Sequence, residues 1–336
     1  MRPLATGSRR PVAVAVVMLL ATLAAACSSA PSSAPVAVTT PDVVPAGAHV
    51  VHPTPPSPNQ TCGDPTASLA PPAIMPTPGA MPAGSRMAQI QARGYLLAGV
   101  DQNTYLWGYR DPVTGGFSGF DIDMVRQVGQ AIFGSPDKVI YVVVPNADRV
   151  QAVQDGEVDL VAETMTINCQ REQSVDFSTV YYVAGQQILV PVNSPIAGPA
   201  DLGGKRVCAT EGSTSLQNLV GTAVARGVQV WAVPNETDCL VMLQQGQIDA
   251  ISTDDAILQG LRAQDPNTKI VGVTFTHEPY GMAISKAHPE FTSFVNGVLA
   301  AERADGTWAR IYADNLGPYV PGPTPTPPAA TYRGPA

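Results

Sequence analysis

The amino-acid sequence predicts an α/β fold of two lobes, each a mostly parallel sheet flanked by helices. One observation is an internal near-repeat, in which DRVQAVQDGEVDLVA from Asp148 matches DCLVMLQQGQIDAIS from Asp238, with Asp159 opposite Asp249. The other is a regular alternation of strand-like and helix-like segments that leads up to each copy. Because such alternation is typical of a parallel sheet covered by helices on both faces, the two halves predict two similar lobes.

The elements follow in the order β-α-β-α-β within each half, and each repeat copy supplies the last helix and strand. The earlier elements of the first half are a strand at Tyr95–Asp101, an amphipathic helix at about Asp121–Phe133 and a strand at Lys138–Val144. Those of the second half are a strand at Lys205–Thr210, a helix at about Ser213–Arg226 and a strand at Val228–Val233. Ligands of such sheets bind beyond the carboxyl ends of the strands, so the two lobes predict a shared cleft there.

Composition excludes several classes of protein. The 336 residues carry a formal net charge of −8, and only 14% of them are charged. This balance argues against binding to nucleic acid or to an acidic membrane surface, since both need clustered Lys and Arg. The sequence contains no G-x-S-x-G, no G-x-G-x-x-G and no H-x-x-x-H. We therefore expect no enzyme activity, no metal and no cofactor.

Residues 1–26 predict a signal peptide, because basic residues precede the apolar stretch Val12–Leu23 and the small residues Ala24–Ala26. Small residues directly before Cys27 resemble a bacterial lipobox, in which the cysteine is lipidated, for example with palmitate, and becomes the new N-terminus. The alternative is an ordinary cleaved signal with an incidental cysteine. The favoured interpretation predicts an exported protein that is anchored to the outer face of the cell membrane by lipid on Cys27.

Composition also sets the predicted domain boundaries. Residues 27–84 hold the lipidated cysteine and a Pro-rich spacer, and residues 321–336 form a tail of the same character. Such segments bury too little apolar surface to offset the entropy of ordering, so we expect an extended spacer and a disordered tail. Lobe 1 is predicted to comprise residues 85–189 and 278–320, and lobe 2 residues 190–277.

The cysteines downstream of the predicted lipidation site are Cys62, Cys169, Cys208 and Cys239. An even number in an oxidising compartment predicts two disulfides, for which three pairings are possible. We favour Cys208–Cys239, since both lie in one stretch of compact sequence, which leaves Cys62–Cys169 as the second pair. Four free buried thiols are the alternative. No C-x-x-C occurs, so the spacing does not predict a metal site.

Polar and aromatic side chains follow the predicted strands at the edge where a ligand is expected. Their chemistry suits an α-amino acid, because a helix start binds anions, an arginine binds a carboxylate through two N–H groups, and an aspartate accepts from an ammonium group. The candidates are Asp101, Tyr105 and Trp107 after the first strand, Thr164, Thr166 and Arg171 after the third, Ser213 and Thr214 at a helix start, and Asp254.

Taken alone, each candidate has an equally good structural explanation, such as a helix cap, a surface arginine or an aromatic ring packed in the core. The set of candidates indicates a ligand site more specifically than any one of them does. Arg149 stands at a predicted helix start, where a cation is unfavourable to the helix dipole. That placement indicates another role, such as binding a second carboxylate. The set with Arg149 therefore predicts an amino acid with an acidic side chain.

Several motifs in order resemble those of the bacterial extracellular solute-binding proteins for polar amino acids, which serve ABC importers. The resemblance covers about residues 86–320 and is strongest to actinobacterial lipoproteins of the glutamine- and glutamate-binding, GlnH-type branch. The motifs are GFDIDM (Gly119–Met124), VDLVAETMTINCQREQSVDFS (Val158–Ser178), DLGGKRVCATEGSTS (Asp201–Ser215) and GQIDAISTDD (Gly246–Asp255).

The resemblance implies a periplasmic-binding-protein type II fold, with two lobes joined by hinge strands near Gln187–Val190 and Thr276–Tyr280. It also implies the roles of the candidates. Arg171 would bind the α-carboxylate of the ligand together with Thr166 and the Ser213 and Thr214 amides. Asp254 and the Thr164 carbonyl would hold the α-ammonium group. Asp101 and either Tyr105 or Trp107 would line the wall of the cleft, and Arg149 would bind an acidic side chain. The usual glycine and threonine of the family are replaced at Thr164 and Asn168.

The function that follows is capture of L-aspartate and L-glutamate, with L-asparagine and L-glutamine as further candidates, and delivery to an ABC permease by a monomeric protein. A sensor that signals the bound amino acid to a membrane receptor is the alternative, since both roles need a docking surface on the closed form. A remoter alternative is a dehydratase on this fold that uses Glu163 or Glu211 as an acid.

Overall fold

Two sheets with parallel central strands organise the computed structural model, which describes residues 43–52, 62–320 and 322–333, apart from the side chains of 223–226. Residues 44–336 form one compact unit and residues 1–43 another, of which only Val43 is described. The predicted signal peptide and Cys27 lie outside the described residues. None of the helices in the described ranges combines the length and the apolar character needed to cross a membrane.

The elements run through lobe 1, cross to lobe 2 and return. Strand β1 is His49–Val51. The first pass through lobe 1 gives α1 (Arg86–Arg93), β2 (Leu96–Val100), β3 (Asn103–Thr104), β4 (Gly108–Arg110), β5 (Phe117–Ser118), α2 (Phe120–Phe133), β6 (Val139–Val143), α3 (Arg149–Gln154), β7 (Leu160–Val161), α4 (Cys169–Glu172), β8 (Asp176–Phe177) and β9 (Tyr182–Ala184).

Lobe 2 and the return follow. Lobe 2 gives β10 (Gln186–Pro191), a 3-10 turn (Pro199–Leu202), β11 (Arg206–Thr210), α5 (Thr214–Arg226), β12 (Gln229–Val233), α6 (Glu236–Gln244), β13 (Ala250–Asp254), α7 (Asp255–Gln264) and β14 (Thr268–Val271). The return gives β15 (Glu278–Tyr280), β16 (Ala283–Ile284), α8 (Pro289–Asp305) and α9 (Thr307–Asn315).

The sheets confirm the predicted two-lobe α/β class. In lobe 1 the strand order is β6-β2-β7-β16-β8, with β2 parallel to β6 and β7. In lobe 2 the order is β1-β12-β11-β13-β10-β14, with β11 parallel to β12 and β13. The central strands are apolar along nearly their whole length, as expected where helices cover both faces of a sheet. The parallel strands of each lobe therefore end at one edge, which positions the site.

The aspartate at the same position of each copy of the near-repeat has the same structural role in both lobes. The carboxylate of Asp159 accepts a hydrogen bond of 2.8 Å from the backbone N–H of Leu97, near the start of β2. Asp249 accepts one of 2.8 Å from the N–H of Arg206, at the start of β11. Each aspartate also pairs with arginine, Asp159 with Arg86 and Asp249 with Arg206. The repeated aspartate thus ties the third strand to the first in each lobe.

The crossing between the lobes differs from the predicted one. Strand β10 already belongs to the sheet of lobe 2, so lobe 1 ends near Gly185 and not at residue 189. The crossing segments pair as antiparallel strands β9 and β15, which confirms two crossing strands. A Cβ atom on Gly185 would lie 2.7 Å from the carbonyl oxygen of Thr276, so glycine lets the two segments approach closely. The expected boundary at residue 189 followed from the family resemblance, which placed this crossing near Gln187–Val190.

The described part of the predicted spacer is ordered, which corrects that prediction. Strand β1 pairs with the edge strand β12 of lobe 2. Ser68 is buried and donates a 2.5 Å hydrogen bond to the carbonyl of Phe177, while Asn296 donates to the hydroxyl of Ser68 at 2.8 Å. Met81 joins the core of lobe 1. Long-range hydrogen bonds and a few methionine contacts supply the stabilisation that local composition does not reveal.

The predicted disordered tail is wrong for residues 322–333. The backbone of Ser68 pairs with that of Tyr332, and Arg333 donates a 3.1 Å hydrogen bond to Asp176. Arg303 on α8 donates to the carbonyl of Pro328 at 2.9 Å. The tail is held because it lies against a polar strip of lobe 1, a contact that its own composition cannot predict.

Glu302 provides a test of how burial affects stability. Its side chain on α8 is 3% exposed, and neither carboxyl oxygen has a hydrogen-bond partner within the described residues. Burial raises its pKa to about 8, whereas an unfolded glutamate ionises near 4.3. Folding stability from this group is therefore full below about pH 4 and is lost as pH rises through 8.

Glu302→Gln should remove that pH dependence, because an amide does not ionise. Between pH 5 and 9 the free energy of unfolding of the variant should rise relative to the unmodified protein by roughly 1–3 kcal/mol. Urea denaturation at both pH values measures it, with the exposed Glu157→Gln as control. Parallel stability curves for Glu302→Gln and the unmodified protein would contradict the prediction.

Candidate functional site

The site lies where the strand ends of the two lobes meet. Thr166, after β7 of lobe 1, and Thr214, at the start of α5 of lobe 2, place their hydroxyl oxygens 3.4 Å apart. Both hydroxyls donate to the same carboxylate oxygen of Glu278 on β15, at 2.8 and 2.9 Å. A residue of a crossing strand therefore holds the two sides of the cleft together.

Arg171 spans the cleft from lobe 1. Its guanidinium donates to the carbonyl of Thr166 at 2.6 Å and to that of Gly212, in lobe 2, at 2.9 Å. The short helix α4 positions it, because the side chain of Asn168 accepts a 2.9 Å hydrogen bond from the Arg171 N–H. Desolvation and the nearby Arg149 cation lower the pKa of Arg171 to about 9, so the group stays charged at neutral pH.

Arg149 is buried, and three backbone carbonyls hold it. It donates to Asn146 at 2.9 Å, to Glu163 at 2.8 Å and to Gly212 at 3.3 Å. These three carbonyls stabilise the Arg149 guanidinium, which explains why a cation is tolerated at the start of α3. Two arginines of lobe 1 thus converge on the one carbonyl of Gly212. That Arg149 binds a ligand carboxylate stays a prediction.

Asp254, the last residue of β13, is buried within reach of both lobes. It accepts a 2.6 Å hydrogen bond from the hydroxyl of Tyr280 and a 3.2 Å one from that of Ser215. Burial and the neighbouring Glu278 raise the pKa of Asp254 to about 7. An ammonium group placed beside this carboxylate would favour its ionised form.

Ser213 and Thr164 have local roles in their turns. The Ser213 hydroxyl donates to the carbonyl of Thr210 at 2.6 Å and accepts from the N–H of Leu216 at 3.0 Å, so it caps helix α5. Thr164 has a φ of 40°, a region that favours glycine. Its N–H donates to Asp121 at 2.8 Å, which compensates for the strained backbone.

The three candidates after β2 are placed differently from one another. Both carboxylate oxygens of Asp101 accept from N–H groups of its own loop, at 2.6 to 3.1 Å. The hydroxyl of half-buried Tyr105 lies 2.9 Å from that of Tyr319. Trp107 is fully buried, and its indole N–H donates across the cleft to the carbonyl of Ala256 at 3.1 Å. Trp107 is thus packed in the core, which is the structural explanation that the sequence also allowed. Its hydrogen bond to Ala256 joins the two lobes.

Sequence reasoning missed several residues of this region. Glu278 and Tyr280 fell in the predicted hinge and carried no motif, although an acidic and an aromatic residue in a crossing strand were a weak signal. Glu236 begins α6 of lobe 2 and accepts a 2.8 Å hydrogen bond from Asn146 of lobe 1. No group of three or more His, Cys, Asp or Glu side chains in the described ranges is arranged to hold a metal ion.

Both predicted disulfides are present, Cys62–Cys169 with Cα atoms 5.5 Å apart and Cys208–Cys239 with Cα atoms 5.7 Å apart. Cys169 begins α4, the helix that carries Arg171, and Cys62 lies in the same described segment as Ser68, which bonds to the Phe177 carbonyl of lobe 1. The first disulfide therefore ties the Arg171 helix to a fixed point. The second is buried in the core of lobe 2.

Removing the first disulfide, as Cys62→Ser with Cys169→Ser, should loosen α4 and weaken amino-acid binding about tenfold, which corresponds to about 1.4 kcal/mol. The matched pair Cys208→Ser with Cys239→Ser should lower stability by about 2–5 kcal/mol without that effect. Isothermal titration well below both melting temperatures separates affinity from stability. Equal affinity of the two double variants would show that the Cys62 bond does not position Arg171.

Two α/β lobes, two crossing strands and a polar cleft between the strand ends define a binding protein of the periplasmic type II class. The chain belongs to the bacterial extracellular solute-binding proteins, family 3, whose family model matches residues 96–318.

Relatives of known name support this placement. The chain is 36% identical over 227 residues to the ABC transporter glutamine-binding protein GlnH of Bacillus subtilis, covering 67% of this chain and 82% of that one. It is 34% identical over 224 residues to the glutamate-binding protein GluB of Corynebacterium glutamicum, covering 62% and 74%. Among solved structures, an ancestral arginine-binding protein bound to arginine superposes with a TM-score of 0.62 at 35% identity, covering 67% and 99%.

Proposed function

We propose that this protein captures a polar α-amino acid of the glutamine, glutamate, asparagine and aspartate group and delivers it to an ABC permease. The observation that carries the proposal is that Arg171, the Thr166 and Thr214 hydroxyls and Asp254 come together in one interlobe cleft. Arg171 binds the α-carboxylate and Asp254 binds the α-ammonium group in this proposal. The GlnH and GluB relatives, which bind glutamine and glutamate, support the choice of ligands.

The arrangement of charge supports an amino acid over other small solutes. The cationic end of the cleft consists of Arg149 and Arg171, which share the Gly212 carbonyl. The anionic end consists of Asp254 and Glu278, whose mutual proximity contributes to the raised pKa of Asp254. A zwitterion neutralises both ends at once, whereas a simple anion or cation satisfies one and faces repulsion from the other.

Isothermal titration of the purified protein with L-glutamine, L-glutamate, L-asparagine and L-aspartate tests the proposal. We expect at least one of the four to bind with micromolar affinity or better and to raise the melting temperature with the logarithm of its concentration above the dissociation constant. Analysis of small molecules released from freshly purified protein by denaturation should identify the same compound. Absence of binding by all four would refute the proposed ligand group.

We further propose that a monomer acts at the outer face of the cell membrane, held by lipid on Cys27. The support is the basic start, short apolar stretch and small residues before Cys27. Metabolic labelling with a palmitate analogue should label the protein and not its Cys27→Ser variant. Co-purification after crosslinking distinguishes a permease partner from a membrane receptor.

A further inference from the structure

Glu278 is a buried residue of the crossing strand β15, and its side chain faces both lobes. One of its carboxylate oxygens, Oε2, accepts hydrogen bonds from the hydroxyl of Thr166 at 2.8 Å and from that of Thr214 at 2.9 Å. The first hydroxyl belongs to lobe 1 and the second to lobe 2. Glu278 therefore receives both hydrogen bonds only while the two lobes are together.

These bonds fix what the two hydroxyls can offer to a ligand. A hydroxyl carries one proton and two lone pairs, whereas a carboxylate can only accept. Thr166 and Thr214 thus give their single protons to Glu278. Neither has a proton left for the other, although the two oxygens lie 3.4 Å apart. Toward any further partner, both oxygens can act only as acceptors.

The same strand connects the two hydroxyls to Asp254. Side chains two residues apart on a strand share one face, and Tyr280, two residues after Glu278, donates to Asp254 at 2.6 Å. On lobe 2, Ser215 follows Thr214 directly and donates to Asp254 at 3.2 Å. The two hydroxyls and the Asp254 carboxylate therefore form one group, built on β15 and the start of α5.

This group can offer a ligand acceptors alone. A carboxylate has about four acceptor positions, of which Asp254 uses two for Tyr280 and Ser215. A primary ammonium group has three donors and no acceptor, so a surrounding of acceptors matches it. A hydroxyl that was free to rotate could turn its proton toward the ammonium group and repel it. Glu278 prevents this by holding both hydroxyl protons.

We infer that Glu278 is a positioning residue for the α-ammonium group of the ligand, because it holds the protons of the Thr166 and Thr214 hydroxyls and leaves both oxygens to accept from that group. The inference rests on the proposed function, in which Asp254 binds the ammonium group. Glu278 acts through one hydroxyl from each lobe and not by contact with the ligand. The full set of acceptors is therefore assembled by closure of the lobes.

Glu278 also affects the charge of Asp254. The titratable groups that face Asp254 are Glu278 and Tyr280 from β15, Asp255 from α7 and Arg171 from α4. Burial, and next the charge of Glu278, raises the pKa of Asp254 to about 7. An ammonium group needs the ionised carboxylate, so affinity should be full above pH 7 and fall by up to about tenfold per pH unit below it. Without the Glu278 charge, this fall should move to lower pH.

Isothermal titration of the full chain at pH 8 and pH 6 tests the inference, with the tightest ligand among L-glutamine, L-glutamate, L-asparagine and L-aspartate. Glu278→Gln should weaken binding about tenfold at pH 8, because a neutral amide holds the two protons less firmly. From pH 8 to 6 the unmodified protein should lose about tenfold in affinity and the variant less than threefold. The exposed control Glu157→Gln should follow the unmodified protein at both pH values.

A second background separates positioning from a purely structural role. Thr166→Val with Thr214→Val removes both hydroxyls and should weaken binding about tenfold or more. Adding Glu278→Gln to that double variant should cost less than a further threefold, because residues that act through one another are not additive. Thermal unfolding shows whether each variant is folded. If Glu278→Gln does not fold, the valine double variant decides, since a loss below threefold in it would overturn the inference.

The outcomes distinguish the inference from the proposed function. If Glu278→Gln loses affinity by one factor at both pH values, and by the same factor in the valine background, Glu278 only supports the fold and the inference is wrong. A change below threefold at pH 8 in Glu278→Gln overturns it equally. In both cases the amino-acid site stands. If none of the four ligands binds the unmodified protein, the proposed function fails and takes the inference with it.

Discussion

Replacing Arg171 with glutamine should weaken amino-acid binding by about a hundredfold or more. Removing one partner of a buried, hydrogen-bonded charge pair costs about 2–5 kcal/mol, and each 1.4 kcal/mol is a factor of ten in affinity. The α-carboxylate would lose its main cation in the cleft, since Arg149 is already held by three backbone carbonyls.

The fold should survive this change. The Gly212 carbonyl, which Arg171 contacts across the cleft, keeps its hydrogen bond from Arg149. The Thr166 side chain keeps its bond to Glu278. The measurement is isothermal titration of the variant beside Arg110→Gln, an exposed arginine on β4 whose loss should leave affinity unchanged. A change of less than threefold in Arg171→Gln would remove Arg171 from the site.

Local sequence patterns predicted most of the helices and strands of the fold. The predicted strand at Lys205–Thr210 is observed at Arg206–Thr210, and the predicted helix at Asp121–Phe133 at Phe120–Phe133. Both follow from side-chain periodicity, which depends only on neighbours along the chain. The repeated Asp159 and Asp249 were visible in the sequence too, although their role in fastening one strand to another appeared only in three dimensions.

Features that depend on distant parts of the chain were not predictable in this way. Ser68 sits in a Pro-rich segment, yet it is ordered because Phe177 and Asn296 supply its partners. The partners of Arg149 are backbone carbonyls, which leave no signature in residue types. Trp107 illustrates a third limit, because a tryptophan after a strand suits a ligand wall and a packed core equally well from sequence.

Gly260 on α7 lies in close contact with the backbone of lobe 1. A Cβ atom on Gly260 would lie 2.3 Å from the carbonyl oxygen of Tyr105 in lobe 1. Backbone cannot swing aside as a side chain does, so an added methyl group would hold the lobes apart. In the closing motion of two-lobe binding proteins, ligand affinity depends on the free energy of the closed form.

Gly260→Ala should therefore weaken binding even though alanine suits a helix better than glycine by about 1 kcal/mol. Overpacking costs about 1–3 kcal/mol, which predicts a loss of about 5- to 150-fold in affinity. The matched control is Gly221→Ala on α5, where a Cβ would meet nothing within 4 Å. That variant should keep its affinity and gain stability. Titration of both, with small-angle scattering in saturating ligand, should show a larger radius of gyration for Gly260→Ala alone. Unchanged affinity in Gly260→Ala would mean that ligand binds without this lobe contact, and Arg171 would then have to act from lobe 1 alone.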